Sequence, residues 1–252
     1  MNIYSTSDIA KIIGIHPNTV RFYEDMQLIT RPERKENGYR IFTDLHIYQF
    51  KIARMAFQIE LLQNGLRKQS VDIVKTVALG NIDKALALTN EYLEHIKQEK
   101  NNAAEAIKSA KAILENKDNN LIKLCMTRKE TADYLNVTTD TLRNWELNGL
   151  LRIKRRQNGY RVYTEQDIQI LKIIRSLRCA NYSLSSILRM LTALSHNPRT
   201  DIMTVIDTPL QDDDIITACD RLITSLNRAA SNGRTIQNML IEMKSKNFNS
   251  PL

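Results

Sequence analysis

Hydrophobic and polar positions along this chain alternate with two periods, and the same succession of periods occurs twice. Ile9, Ala10, Ile12 and Ile13 fall on one face of a helix starting near Asp8, with Ser5 or Ser7 as its cap. Gly14–Asn18 reads as a turn, and Pro17 suits the entry to a second helix, Thr19–Met26. An apolar step, Leu28-Ile29, leads into a polar loop closing on Asn37-Gly38, a hairpin signal. Tyr39–Phe42 then alternates as a short strand. Asp44–Phe57 has helical spacing, and another helix lies somewhere within Leu62–Leu79. The succession returns as helix Arg128–Leu135, turn Asn136–Asp140 and helix Thr141–Asn148. The step Leu150-Leu151, the turn Asn158-Gly159, the strand Tyr160–Tyr163 and helices Glu165–Arg178 and Asn181–Leu194 complete it.

The residues repeat as well as the pattern. Thr19-Val20-Arg21-Phe22-Tyr23-Glu24 is answered 122 residues later by Thr141-Leu142-Arg143-Asn144-Trp145-Glu146. Asn37-Gly38-Tyr39-Arg40-Ile41-Phe42-Thr43 is answered 121 residues later by Asn158-Gly159-Tyr160-Arg161-Val162-Tyr163-Thr164, so one residue is lost between the blocks. Self-similarity of this kind sets the architecture: two copies of one small module on a single polypeptide. Each reads as a helix-turn-helix, whose second helix is the one presented to a DNA major groove, followed by a β-wing. Ala10 and Ala132 correspond, and a small residue there lets the two helices cross closely.

Each module is followed by a long helix. Leu86, Thr89, Leu93, Ile96, Lys100, Ala103, Ile107, Ala110 and Leu114 step by three and four, as do Ile215, Cys219, Leu222, Leu226, Ala229, Gly233, Ile236, Leu240 and Met243. Sustained alternation of this kind predicts a coiled-coil seam. Asp212-Asp213-Asp214 puts negative charge at the positive end of the second helix. Gly233 costs about 1 kcal/mol relative to Ala in a helix interior, which points to a close-packing reason for it. The expected fold is therefore mainly α: winged helix-turn-helix modules at residues 1–80 and 123–200, long coiled-coil helices at 81–118 and 211–247, and small β-wings.

Composition narrows the function. Gly and Pro are sparse, in keeping with helices, and the formal charge is +8. The basic residues cluster. Arg152, Lys154, Arg155, Arg156 and Arg161 share one loop of the second copy; Arg31, Arg34, Lys35 and Arg40 share the matching loop of the first, diluted by Glu33 and Glu36. A basic loop recurring at one place in both modules points to a polyanion. Cys125, Cys179 and Cys219 are far apart and make no zinc, iron–sulfur or redox spacing, so reduced thiols in a cytoplasmic protein are expected, with no metal and no cofactor. His16, His46, His95 and His196 are scattered. There is no nucleophile–base constellation and no phosphate loop, which argues against an enzyme. No signal segment and no membrane-spanning run is read.

Thr-Val-Arg-Phe-Tyr-Glu, then Leu-Ile, a basic loop, Asn-Gly-Tyr-Arg and an aromatic residue resemble the MerR family of bacterial transcription regulators. The resemblance covers residues 3 to about 57 and 125 to about 194, and is weaker over the long helices. It implies a winged helix-turn-helix, a dimerisation helix pairing antiparallel with its partner's, and promoter DNA bent and untwisted so that RNA polymerase can engage both of its elements. By position it implies that Thr19, Arg21, Phe22 and Tyr23 face DNA from the recognition helix and that Tyr39 and Arg40 serve in the wing. Arg can pair bidentately with guanine or hold phosphate, and a Tyr hydroxyl can bind phosphate. With the turn residues His16 and Asn18 and the wing residues Arg34 and Lys35, these are the candidate DNA contacts of the first copy. Those of the second are Thr139, Thr141, Arg143, Asn144, Trp145, Arg155, Arg156, Tyr160 and Arg161. The alternatives are that Arg21 pairs with Glu24 and that Tyr23 and Tyr39 belong to the core.

Two departures from the family pattern matter. Asn144-Trp145 stands where the first copy has Phe22-Tyr23, and Pro32 has no counterpart, so an asymmetric operator is expected. After the second long helix only seven residues remain, without room for an appended ligand domain, and the cysteine pair of metal-sensing members is absent. In an antiparallel pair each long helix ends beside the other module's head, so the chain reads as a monomeric pseudo-dimer, a homodimer through the long helices being the alternative. The function expected is a nucleoid-associated, sequence-specific activator working with RNA polymerase. The runner-up is an excisionase-like architectural factor for site-specific recombination. A small-molecule effector is left open.

Overall fold

The computed structural model describes residues 2–58, 65–115, 125–153, 161–197, 199–209, 218–246 and 248. They form two compact units: Met1–Gln98 with Ser225–Leu252, and Glu99–Thr224. The fold is mainly α, with short strands only.

The first unit opens with β1 (Ile3–Tyr4), α1 (Thr6–Ile13) and α2 (Pro17–Asp25). Ser5 caps α1: its hydroxyl accepts from the Asp8 amide, and the Asp8 carboxylate accepts from the Ser5 amide in return. α2 begins at Pro17, two residues earlier than the periodicity suggests. His16 caps it, its Nδ1 accepting from the Asn18 amide at 3.2 Å, and Pro17 has no N–H to leave unsatisfied. The wing is β2 (Glu33–Arg34) and β3 (Arg40–Thr43), paired antiparallel with Arg34 opposite Arg40. β1 pairs with the other edge of β3, Tyr4 opposite Phe42, so the wing grows from a three-stranded sheet. β1 went unread in the sequence, because two residues carry no period.

α3 (Asp44–Ala56) and α4 (Leu66–Ala78) close the head, which settles the helix that Leu62–Leu79 left unplaced. Ile9, Val20, Tyr23, Phe42, Phe50, Ile52, Leu66 and Ile73 form its core, with the Tyr23 and Phe50 rings stacked at 5.2 Å. Ile12 stays exposed, so the inward face of α1 is narrower than predicted. Gln49 is buried and satisfied: Oε1 accepts from the Thr30 amide, and Nε2 donates to Thr30 Oγ1 and the Val77 carbonyl. That arrangement ties the chain leaving α2 to both α3 and the end of α4.

The long helix α5 (Ile82–Glu115) contributes residues to both units. Within the first unit its inward side is Ile82, Ala85, Thr89, Tyr92 and Ile96. Thr89 and Ile96 hold the expected seam, whereas Ala85 and Tyr92 take the inward places expected of Leu86 and Leu93, which are only half-buried. Residues from Ser225 onward of α11 (Leu222–Ser245) run antiparallel to this stretch. Gln237 Nε2 donates to Asn90 Oδ1 at 2.6 Å, and Lys244 Nζ meets Asp83 Oδ1 at 2.5 Å. Gly233 lies close against α5: a Cβ there would lie 2.8 Å from Leu93 Cδ2 and 3.2 Å from Tyr92 Cε1. The buried side of α11 follows the predicted seam from Leu222 to Met243. Its last turn docks on α3: Tyr48 donates to Glu242 at 2.5 Å, Lys246 donates to the Tyr48 hydroxyl at 2.8 Å, and Phe248 packs at the same ring.

The second unit repeats the head. β4 (Cys125–Met126) pairs with β5 (Tyr163–Thr164); α6 (Arg128–Leu135) and α7 (Thr139–Leu147) form the helix-turn-helix; α8 (Glu165–Cys179) and α9 (Leu184–His196) cover it. α10 (Ile202–Ile206) was not foreseen. Arg189 of α9 holds it, donating to the Val205 and Ile206 carbonyls and to that of Asp220. Asp207, directly after α10, accepts from the Ile223 and Thr224 amides. It supplies the negative charge at the start of α11 that the sequence reading gave to Asp212-Asp213-Asp214, which lie outside the described residues, as does Ile215. Cys219 sits in the short 3₁₀ turn before α11 rather than in its seam, and burial raises its thiol pKa. The far half of α5 lies against this head, with Ala103, Ala106, Ile107 and Ala110 buried and Glu99 accepting from Asn181 at 3.2 Å.

Candidate nucleic-acid interface

The outward face of α2 carries Asn18, Arg21, Phe22 and Asp25, with Met26 just past its end, while Val20 and Tyr23 point inward. Arg21 Nη1 donates to Asn18 Oδ1 at 3.3 Å and makes no bond with Glu24. Glu24 is taken by the wing instead. Its carboxylate receives Arg40 Nε and, at 3.5 Å, Arg34 Nη2. The glutamate thus sets the wing's angle to the recognition helix, and Arg21 keeps its outward position. Thr19 is half-buried; His16, Lys35 and Tyr39 are exposed, Tyr39 at 72%. The expectation that Tyr23 meets DNA is corrected: the ring is 5% exposed, packed on Phe50 and Phe57, and burial raises its hydroxyl pKa.

α7 repeats the face with different chemistry. Asp140, Arg143, Asn144 and Leu147 point outward, and Asn148 follows. Thr138 caps the helix and its hydroxyl bonds that of Thr141, so the helix begins at Thr139 rather than Thr141. Trp145 is a second correction. It is 5% exposed, in the position of Tyr23. Glu146 receives Arg161 Nε at 2.5 Å, Arg128 Nη2 at 3.3 Å and the Tyr163 hydroxyl at 2.5 Å. Burial first, and Glu146 second, push the Tyr163 hydroxyl up to about 12, so it stays a donor. Arg40 and Arg161 therefore both brace a wing against its helix. Arg155, Arg156 and Tyr160 lie outside the described residues.

Several residues exposed on the same two helix faces or beside them escaped the sequence reading. Met26, Asp25, Asp140, Leu147 and Asn148 lie three or four positions from the named contacts, a signal that was present. Arg175 and Arg178 of α8 were not foreseeable: with Thr138, Thr141 and Asn144 they line an open groove of about 630 Å³ beside α7. A second groove of about 410 Å³ lies between the far half of α5 and α8, lined by Asn102, Glu105, Ser109, Lys172 and Arg175. Among the described residues, no three His, Cys, Asp or Glu side chains group as metal ligands, the cysteines are free, and no helix is long and apolar enough to cross a membrane.

Both modules have sequence counterparts among known proteins. Residues 5–42 match the MerR family regulatory protein model, and residues 126–194 match that of the MerR HTH family regulatory protein. Both modules are thus of the MerR type, two in tandem on one chain. It is 46% identical over 59 residues to the HTH-type transcriptional regulator CueR of Escherichia coli O6:H1, covering 23% of this chain and 42% of that one. It is 41% identical over 66 residues to the HTH-type transcriptional regulator ZntR of Escherichia coli K12, covering 26% and 47%. Similarity to YyaN of Bacillus subtilis, an uncharacterized HTH-type transcriptional regulator, is 27% over 125 residues, covering 46% and 91%. The matches to CueR and ZntR thus span about half the length of those relatives. No solved structure matches.

Proposed function

We propose that this MerR-family chain is a DNA-binding transcription regulator in which one polypeptide acts as a pseudo-dimer, its two heads gripping one promoter duplex and distorting it so that RNA polymerase engages both promoter elements. The observation that carries the pseudo-dimer is the antiparallel pairing of α11 with the near half of α5 in the unit of the first head. The far half of α5 supports the second head. Each head is thus buttressed by a long helix belonging to the other copy, which is what two chains supply to each other in an antiparallel dimer. Tethering raises the effective concentration of the second head to roughly millimolar, so binding of one head commits the other.

Arg21 and Arg143, outward on both recognition helices, are the shared anchors, and the basic loops and wings add backbone attraction. Arg40 and Arg161 act through position, holding the wings. Affinity falls steeply with salt, by roughly 0.9 log unit per log unit of salt for each phosphate neutralised. Footprinting with run-off transcription tests the reading. A protected site between promoter elements, with increased transcript, is expected; protection confined to recombination-type repeats, with transcription unchanged, would overturn it.

A further inference from the structure

α2 and α7 are the same length and expose the same positions, yet only one outward residue is identical. Arg21 matches Arg143. Around it, the first head shows Asn18, Phe22, Asp25 and Met26, and the second Asp140, Asn144, Leu147 and Asn148. The sharpest change is one turn past the helix centre. Phe22 and Met26, four residues apart, make an apolar stripe 49% and 52% exposed. At the matching places Asn148 Nδ2 donates at 2.8 Å to both the carbonyl and Oδ1 of Asn144. An apolar pair has become a coupled pair of amides.

Neither stripe is needed to fill a core, since these side chains point away from the head. Exposed apolar side chains on a recognition helix gain most from a thymine methyl, the one apolar group on a major-groove edge. An amide fixed at its oxygen side by a neighbour keeps Nδ2 free to donate and a lone pair free to accept. That is the pattern complementary to adenine N7 and N6.

We propose that the two heads read unlike half-sites: the first meets thymine through Phe22 and Met26, the second meets adenine through Asn144 held by Asn148, and Arg21 and Arg143 make the contact common to both. This rests on the DNA-binding reading above and adds which side chains set sequence preference.

The experiment is enrichment of duplexes from a random pool by the full chain and by its Phe22→Ala, Phe22→Asn, Asn144→Ala and Asn148→Ala variants. All four substitutions are at exposed positions, and circular dichroism checks that the fold is retained. The wild-type consensus is expected to lack two-fold symmetry. Asn144→Ala should lose an adenine preference of about tenfold or more in one half-site only. Asn148→Ala should weaken the same preference less. Phe22→Ala should erase a thymine preference in the other half-site, and Phe22→Asn should turn it to adenine. A symmetric consensus, or preferences untouched by these substitutions, would overturn the inference while leaving DNA binding intact. Failure of the wild-type chain to enrich any duplex would overturn the DNA-binding reading itself, and the inference with it.

Discussion

The two heads share a scaffold but solve the same buried problem with different atoms. In the first, Glu24 is held by Arg40 and Arg34. In the second, Glu146 is held by Arg161, Arg128 and the Tyr163 hydroxyl. The positions of Arg128 and Tyr163 are Thr6 and Phe42 in the first head, so the phenol and the guanidinium from α6 that hold Glu146 have no equivalent at those places beside Glu24. A hydroxyl at the buried end of a wing strand needs an acceptor, and the glutamate supplies it. The comparison separates what the fold requires from what varies. The cap, the inward aromatic at Tyr23 or Trp145, and the glutamate clamp occur in both heads. The outward faces of α2 and α7 match only at Arg21 and Arg143.

The largest expected effect tests whether the heads are energetically separate. Tyr23→Ala or Trp145→Ala should cost about 3–5 kcal/mol, as large-to-small changes of buried aromatics do, and each should lower amide-exchange protection in its own head only. Equal loss in both heads would break the comparison.

Next comes acid. Burial holds the His46 imidazole neutral down to about pH 4, against 6.5 when it is free. Between those values the unfolded chain binds a proton that the folded head refuses. Stability from the neutral ring is thus fully present above pH 6.5 and is lost as pH falls towards 4, by about 3 kcal/mol. Asp167 occupies the matching place in the second head, closing the same capping box with Thr164. The first head should therefore lose exchange protection faster between pH 6.5 and 4, and His46→Gln should flatten that slope.

A smaller effect sharpens the clamp. Tyr163→Phe gives the second head the ring found in the first and removes one donor to Glu146. It should cost about 1 kcal/mol by chemical denaturation, with Arg128 and Arg161 still in place. The smallest should be a gain. Gln27 holds φ +55° where the second head has Gly149 at +77°. Gln27→Gly relieves left-handed strain and should stabilise the first head by about 1 kcal/mol, read as a rise in melting temperature.

Much of this was legible in the sequence, because the repeat aligned elements that single windows leave ambiguous. The helix-turn-helix, the wing turn and the seam of α11 follow from residues whose period or turn chemistry is strong. What was missed has physical causes. Strands of two residues, Ile3–Tyr4 and Cys125–Met126, show no alternation. The seam of α5 was misread at two places, because Leu86 and Leu93 look more apolar than Ala85 and Tyr92, yet Ala85 and Tyr92 face inward. Thr89, read in the seam despite its hydroxyl, goes inward by bonding that hydroxyl to the Ala85 carbonyl at 2.7 Å. Tyr23 was placed on the DNA side by the family resemblance and Trp145 as its counterpart, but α2 and α7 turn both rings inward.

The central claim is that one chain does what two chains do in an antiparallel dimer. Light scattering on the free protein at nanomolar to micromolar concentration, and again on its complex with a selected duplex, addresses it directly. The account predicts 29.1 kDa for the free protein and one chain per duplex. A mass of two chains in either state would contradict it.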